Sequence, residues 1–157
     1  MLFEDSGFAV LRRGMAMCLM RYPCFRYRPS HADALHVDLW LAGENILRDA
    51  GSYSYNTASH RSDYFGGTKG HNTVQFDDRD QMPRLSRFLF GAWLKTTFIE
   101  PLKEDKQAIH FAAGYRDCNK TSHRRHVSLG DNHLQVVDKV EGFTHKAVLR
   151  WRVAPGE

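Results

Sequence analysis

The feature of this sequence that most constrains its fold is a series of short runs in which apolar and polar residues alternate. Between Leu35 and Leu41 every second residue is a leucine or a valine, and His36, Asp38 and Trp40 stand between them. Such alternation predicts a strand with one buried face. No segment has the pattern of a helix of convincing length, so an all-β fold is expected. We predict strands at 7–12, 15–22, 35–41, 46–49, 71–77, 88–99, 107–115, 123–129, 133–138 and 146–153.

Turn signals separate the predicted strands. Arg13-Gly14 and Gly130-Asp131-Asn132 stand between pairs of strands and predict hairpins. Many short strands at this spacing are typical of an antiparallel β-sandwich. The longest segment without a strand pattern, residues 51–70, is rich in Ser, Tyr, His and Gly. We expect it to be a polar loop that carries binding groups.

The composition is that of one soluble globular domain. The chain has 157 residues, of which 42% are hydrophobic and 25% charged, and a formal net charge of +4. Because its Lys and Arg are scattered, apart from Arg124-Arg125, a nucleic-acid partner is not favoured. A few arginines in a cleft would be enough to bind an acidic polysaccharide, so a partner of that kind is compatible with the scattered charges. The chain shows neither a signal segment nor an apolar run long enough for a membrane span, so no membrane partner is expected.

The cysteines do not form a recognisable framework. Cys18, Cys24 and Cys118 are odd in number and lack the spacing of a metal knuckle. Cys18 and Cys24 flank a turn-like Tyr22-Pro23, which leaves a bridge between them conceivable. Buried free thiols are the favoured interpretation.

Two histidines and an aspartate lie close to the ends of predicted strands. His31 precedes a predicted strand, His71 begins one, and Asp49 ends one. Taken singly, each is an ordinary polar residue at a strand end. Two imidazoles and a carboxylate are also the ligand set of an open zinc site, if the fold brings them together. His36 is expected on the opposite face of its strand, and the basic run 123–126 at a solvated strand edge.

Three phrases resemble the C-terminal domain of the heparinase II/III-like polysaccharide lyases. They are residues 30–35 (SHADAL), 47–55 (LRDAGSYSY) and 70–74 (GHNTV), in this order. The likeness covers nearly the whole chain, continuing through 76–77, 80–81, 126–127 and 137–138 to 150–151. It implies one supersandwich-like β-domain over residues 1–157, shorter than the family's usual domain. The α/α-toroid domain that precedes it in the family is absent from this sequence.

The resemblance also implies a metal and a reaction. The family's metal triad corresponds to His31, Asp49 and His71, which would hold a mostly structural Zn²⁺. The reaction is β-elimination at a uronic acid in an acidic polysaccharide, of the glycosaminoglycan or alginate kind. The family is bacterial and often periplasmic or secreted. The sequence itself does not indicate a compartment.

One departure from the family bears on activity. The lyases show His-x-His-Ala-Asp, whose first His reaches the active site, and here that position is Pro29. Other catalytic groups belong to the toroid, so no catalytic residue is assigned and activity of this chain alone is left open. Substrate contacts are expected from Tyr55, Arg61 and Asn72.

Two other functions compete with the lyase. A non-catalytic carbohydrate-binding or structural zinc domain would bind saccharide without cleaving it. A hydrolase would use the open zinc position to activate water. Strand edges exposed by truncation leave a homo-oligomer open as well.

Overall fold

Antiparallel strands are the main regular elements of the computed structural model, which describes residues 1–52, 54, 59–86 and 89–155, with the backbone alone at 59 and 60. The all-β prediction is confirmed. The strands are β1 Leu2–Phe3, β2 Phe8–Arg13, β3 Ala16–Arg21, β4 Val37–Leu41, β5 Glu44–Leu47, β6 Val74–Phe76, β7 Arg84–Ser86, β8 Leu89–Phe90, β9 Lys95–Glu104, β10 Ala108–Arg116, β11 Ser122–Gly130, β12 Leu134–Glu141 and β13 Ala147–Leu149. A helix α1 (Ser59–Gly66) and a 3-10 turn (Thr68–Gly70) lie between β5 and β6.

Two larger sheets form the sandwich. One has the order β1-β2-β3-β4-β5 and the other the order β12-β11-β10-β9. Strand β2 contacts both β10 and β11 across the interface. Smaller two-stranded sheets pair β6 with β13 and β7 with β8. The predicted hairpins at Gly14, where φ is 55°, and at 130–132 are confirmed by the antiparallel pairs β2–β3 and β11–β12.

The core lies between the two larger sheets. Alternate residues of β10 face it, because successive side chains of a strand point to opposite faces. Phe111 and Tyr22 pack there with ring centroids 5.6 Å apart. The buried apolar side chains around them include Leu11, Met20, Leu35, Ile109, Tyr115, Val127 and Leu129.

The segments between strands differ from the prediction at two places. Helix α1 occupies part of the segment predicted as irregular loop, and its sequence has no apolar stripe that would have indicated it. The strand predicted at 88–99 is interrupted, because Ala92 adopts a φ of 45° between β8 and β9. Strand β9 contains Pro101, which has no N–H to donate to a neighbouring strand. The proline is tolerated because β9 lies at the edge of its sheet and its pairing with β10 shifts register at this point. No helix among the described residues is long and apolar enough to cross a membrane.

All three cysteines are free thiols. Cys18 is buried in the core, and burial raises the pKa of its thiol to about 12. Cys24 is half-buried and Cys118 is exposed, so the prediction of buried thiols is wrong for Cys118.

The basic run of β11 is divided between the two faces of its sheet. Arg124 is exposed, whereas His123 and Arg125 are fully buried on the core side. The predicted solvated edge is therefore wrong for these two. Asp138, directly opposite Arg125 on β12, makes their burial tolerable by accepting hydrogen bonds from both side chains.

The buried ion pair makes stability depend on pH. Burial by itself would raise the pKa of Asp138, but hydrogen bonds from His123 and Arg125 outweigh it and hold that pKa well below its usual range. A depressed pKa in the folded state contributes stability above the unfolded value of about 3.9, and this stability is lost as pH falls through the folded value.

Asp138→Asn is expected to lower the free energy of unfolding at pH 7 by about 3–5 kcal/mol, because it leaves Arg125 buried without its counter-charge. The variant should also lose less stability than the wild type below pH 4. Urea denaturation at pH 7, 4 and 3 measures both effects. Equal loss of stability with acid in both proteins would contradict the assignment.

Candidate metal centre

Three distant segments meet beside the edge of the five-stranded sheet. His31 lies in the connection between β3 and β4, Asp49 lies just after β5, and His71 follows the 3-10 turn directly. One ligand atom from each residue lies within 4.8 Å of the others. The structure thus brings together the three residues predicted as metal ligands.

The cluster is closed on one side and open on the other. His71 is fully buried, whereas His31 and Asp49 are partly exposed. The Nδ1 atom of His71 lies 2.6 Å from Oδ2 of Asp49, and the rings of the two histidines have centroids 5.3 Å apart. Ser52 places its Oγ 3.4 Å from Nε2 of His31.

The donor set fits a zinc ion. Two imidazoles and one carboxylate are zinc ligands of a common kind, with a fourth position for water. When Nδ1 of His71 donates to Asp49, its Nε2 carries the lone pair of the neutral ring. That buried Nε2 has no hydrogen-bond partner among the described residues. Metal coordination is one arrangement that satisfies such an atom.

The electrostatic environment favours the ligand forms of these side chains. Burial lowers the pKa of His31, and the nearby Asp33 and Asp49 offset this only in part. A lowered pKa favours the neutral imidazole, the form that binds metals. Burial would raise the pKa of Asp49, but the hydrogen bond from His71 leads the interactions that lower it to about 2.

Close backbone packing explains the glycine before His71. A Cβ atom at Gly70 would lie 2.8 Å from the carbonyl oxygen of Tyr64 and 3.1 Å from that of Phe65. Only glycine lets the 3-10 turn pack this closely against α1. The turn is also held by Asp80, whose Oδ1 accepts the backbone N–H of Thr68 at 2.8 Å.

A glutamine holds the segment that carries His31. The Oε1 atom of Gln81 accepts the N–H of Ala34 at 2.9 Å, and its Nε2 donates to the carbonyl of Ala34 at 3.0 Å. Thr73 donates its hydroxyl to the same carbonyl. Gln81 and Thr73 thus join the connection that carries Ala34 to the chain that follows His71. Apart from its place in the family likeness, nothing in the sequence indicates this role of Gln81.

His36 also belongs to the site, and the prediction that it faces away is wrong. Its ring lies 5.5 Å from that of His71, its Nε2 lies 3.8 Å from Oδ2 of Asp49, and its Nδ1 accepts the N–H of Asn72. The reason is that Leu35 adopts a φ of 61° and β4 begins only after His36. Strand alternation therefore does not extend to this residue.

The three residues predicted to contact substrate have different surroundings. Tyr55 lies outside the described residues, and Arg61 lies exposed on α1. Asn72 is fully buried, where its Nδ2 donates to the carbonyl of Val37 at 2.9 Å and its Oδ1 accepts the N–H of Arg152. The side-chain amide of Asn72 is thus engaged in hydrogen bonds to the backbone. Substrate binding by these three residues stays a prediction.

Asn72→Ala is expected to lower the free energy of unfolding by about 2–3 kcal/mol, because it leaves a buried carbonyl and a partly buried N–H without their partner. Asn132→Ala, at an exposed turn position, is the matched control and should change it by less than about 0.5 kcal/mol. Urea denaturation measures both. Equal effects would show that the Asn72 amide carries no structural role.

Fold and site together define a β-sandwich domain with a candidate metal centre at the sheet edge. The family model described as Heparinase II/III-like, C-terminal matches residues 1–157. The chain therefore belongs to the heparinase II/III-like family, which confirms the resemblance seen in its sequence. Comparison with curated proteins gives no match.

Solved structures show the same fold. A heparinase III, the BT4657 gene product, superposes with a TM-score of 0.78 at 23% identity over 100% of this chain and 24% of its own. A mutant of the heparan sulfate lyase HepC from Pedobacter heparinus has a TM-score of 0.73 at 16% identity over 96% of this chain and 23% of its own. This chain therefore spans about a quarter of the length of these structures.

Proposed function

We propose that His31, Asp49 and His71 bind a structural zinc ion. The observation that carries this proposal is the convergence of their ligand atoms within 4.8 Å. Carboxylate and imidazole ligands suit zinc, although raw affinity alone does not select it among divalent metals. The bound ion would supply cross-links among the β3–β4 connection, the end of β5 and the start of β6.

Metal content tests this part of the proposal. Protein purified without chelator is expected to contain close to one zinc per chain by elemental analysis, and His71→Ala is expected to lose it and to melt at a lower temperature. His133→Ala, at an exposed hairpin position, is the control and should retain the zinc. A wild type without metal whose stability equals that of His71→Ala would overturn the proposal.

We propose further that the domain serves a polysaccharide lyase that cleaves a uronate-containing chain by β-elimination. Support comes from membership of the family and from the fold shared with proteins described as heparinase III and heparan sulfate lyase. The formal charge of +4 suits an acidic polysaccharide. Because the chain spans about a quarter of those structures, the activity is proposed for the domain together with a helical partner domain.

The reaction needs three groups, and the residues that the structure describes offer a candidate for one of them. A cation must neutralise the sugar carboxylate, a base must remove the C5 proton, and an acid must protonate the leaving oxygen. Arg61, exposed on α1, suits the first task. Pro29, where the family has its first His, is buried and carries no proton. The base and the acid would then come from the partner domain.

The same proline favours a second candidate function. A domain that lacks the family's first His could bind acidic saccharide, or stabilise its neighbour, without taking part in cleavage. This alternative predicts saccharide binding and no unsaturated product from any longer form of the protein.

An elimination assay separates these functions. The product of the complete reading frame, incubated with heparan sulfate or alginate, is expected to generate unsaturated ends that absorb in the near ultraviolet. Residues 1–157 alone are expected to bind saccharide without generating them. Cleavage by residues 1–157 that stops on chelation and yields no double bond would instead support a zinc hydrolase. Binding without any cleavage by the complete product would support the second candidate.

A further inference from the structure

Arg125 extends from the four-stranded sheet to the backbone beside His36 and His71, while its side chain stays fully buried. Its Nε and Nη2 donate to the two carboxylate oxygens of Asp138 at 2.7 and 2.9 Å. Its Nη1 donates to the carbonyl oxygens of Leu35 and Asn72, each at 2.6 Å. One guanidinium thus joins β11 and β12 to two irregular segments of the opposite side.

Those two segments carry the histidines of the metal centre. Asn72 directly follows His71, and Leu35 directly precedes His36 in the connection that also holds His31. Leu35 has a φ of 61°, a conformation that costs free energy for a branched side chain. Such a conformation persists only where its surroundings over-determine it, and the hydrogen bond from Arg125 is one of the contacts that do so.

The guanidinium itself has a fixed position. Asp138 lies opposite Arg125 in the β11–β12 pair and accepts a further hydrogen bond, at 2.7 Å, from Nε2 of His123. The ring of Trp151 lies against the guanidinium, with 5.2 Å from Cζ to the ring centroid. Because the guanidinium is planar and Asp138 accepts from its Nε and Nη2, the orientation of the remaining donor Nη1 is fixed as well.

We propose that Arg125 is a positioning residue of the metal centre, which sets the backbone around His71 and around the His31 segment from the opposite sheet. This inference rests on the proposed metal site. A lysine in its place would keep the charge but lacks the fork, so it could not hold Asp138 and both carbonyls at once. Loss of this contact should loosen the spacing of the ligands without removing any of them.

The test compares metal affinity in Arg125→Lys and in Val127→Ala, a core variant on the same strand that touches neither segment through a hydrogen bond. Zinc affinity is measured by competition with a chelator, far below the melting temperature of both variants. Arg125→Lys is expected to bind zinc about 10–100-fold more weakly than the wild type, the range usual for residues that orient metal ligands. Val127→Ala is expected to stay within about twofold of the wild type.

Two further readouts separate positioning from stability. The visible spectrum of the Co²⁺-loaded protein reports ligand geometry and is expected to change in Arg125→Lys but not in Val127→Ala. The double variant Arg125→Met/Asp138→Leu replaces the ion pair by apolar side chains, which often restores stability. It avoids an unpaired buried charge but should still melt below the wild type, because the two carbonyls and Nε2 of His123 lose their partners. At a temperature where it is folded, it is expected to bind zinc weakly, because both carbonyls have lost their donor.

The outcomes distinguish this inference from the proposal on which it depends. A wild type that binds neither Zn²⁺ nor Co²⁺ would overturn the metal site. A wild type that binds zinc, together with Arg125 variants of equal affinity and unchanged Co²⁺ spectrum, would overturn the positioning role and leave the metal site intact. Should Arg125→Lys fail to fold, the double variant supplies the same comparison.

Discussion

The burial of Arg125 is the constraint on which the packing of the metal-centre segments against the four-stranded sheet depends. A guanidinium cannot lose its proton at any ordinary pH, so an enclosed arginine must find all its stabilisation inside the protein. Asp138 supplies the opposite charge, and two backbone carbonyls accept the remaining donors. Because these carbonyls belong to Leu35 and Asn72, satisfying the charge also determines where the site segments lie relative to the second sheet.

This dependence concerns specificity more than stability. The apolar side chains between the sheets could pack in several related ways, since cores tolerate exchange of similar hydrophobic residues. A buried ion pair adds little net stability over an apolar replacement, yet removing one partner is costly. The pair therefore penalises any arrangement in which the segments move away from β11. Gln81 and Asn72 act similarly on a smaller scale, each through an amide whose two ends hold backbone groups.

The sequence predicts the sheets better than it predicts the site. Period-two alternation locates most strands, because burial of one face leaves its pattern within the few residues of a single strand. The same alternation places His123 and Arg125 on the face of Val127 and Leu129, which indicates that they point into the core. His36 was predicted wrongly because the left-handed Leu35 interrupts alternation, and no local pattern predicts that conformation for a leucine. The metal triad came from the family likeness, since a single His or Asp at a strand end does not indicate its partners.

The carboxylate of the candidate metal centre is held in place by neighbouring groups of the protein. Asp49 accepts the N–H of Gly51 on Oδ1 and the Nδ1–H of His71 on Oδ2, so the carboxylate is oriented before any ion binds. His71 is sealed from solvent, and only the side formed by His31 and Asp49 is open. Partners that orient a ligand in this way are usual around metal sites, and they fit the proposed zinc centre. The open side of the cluster leaves room for a fourth ligand such as water.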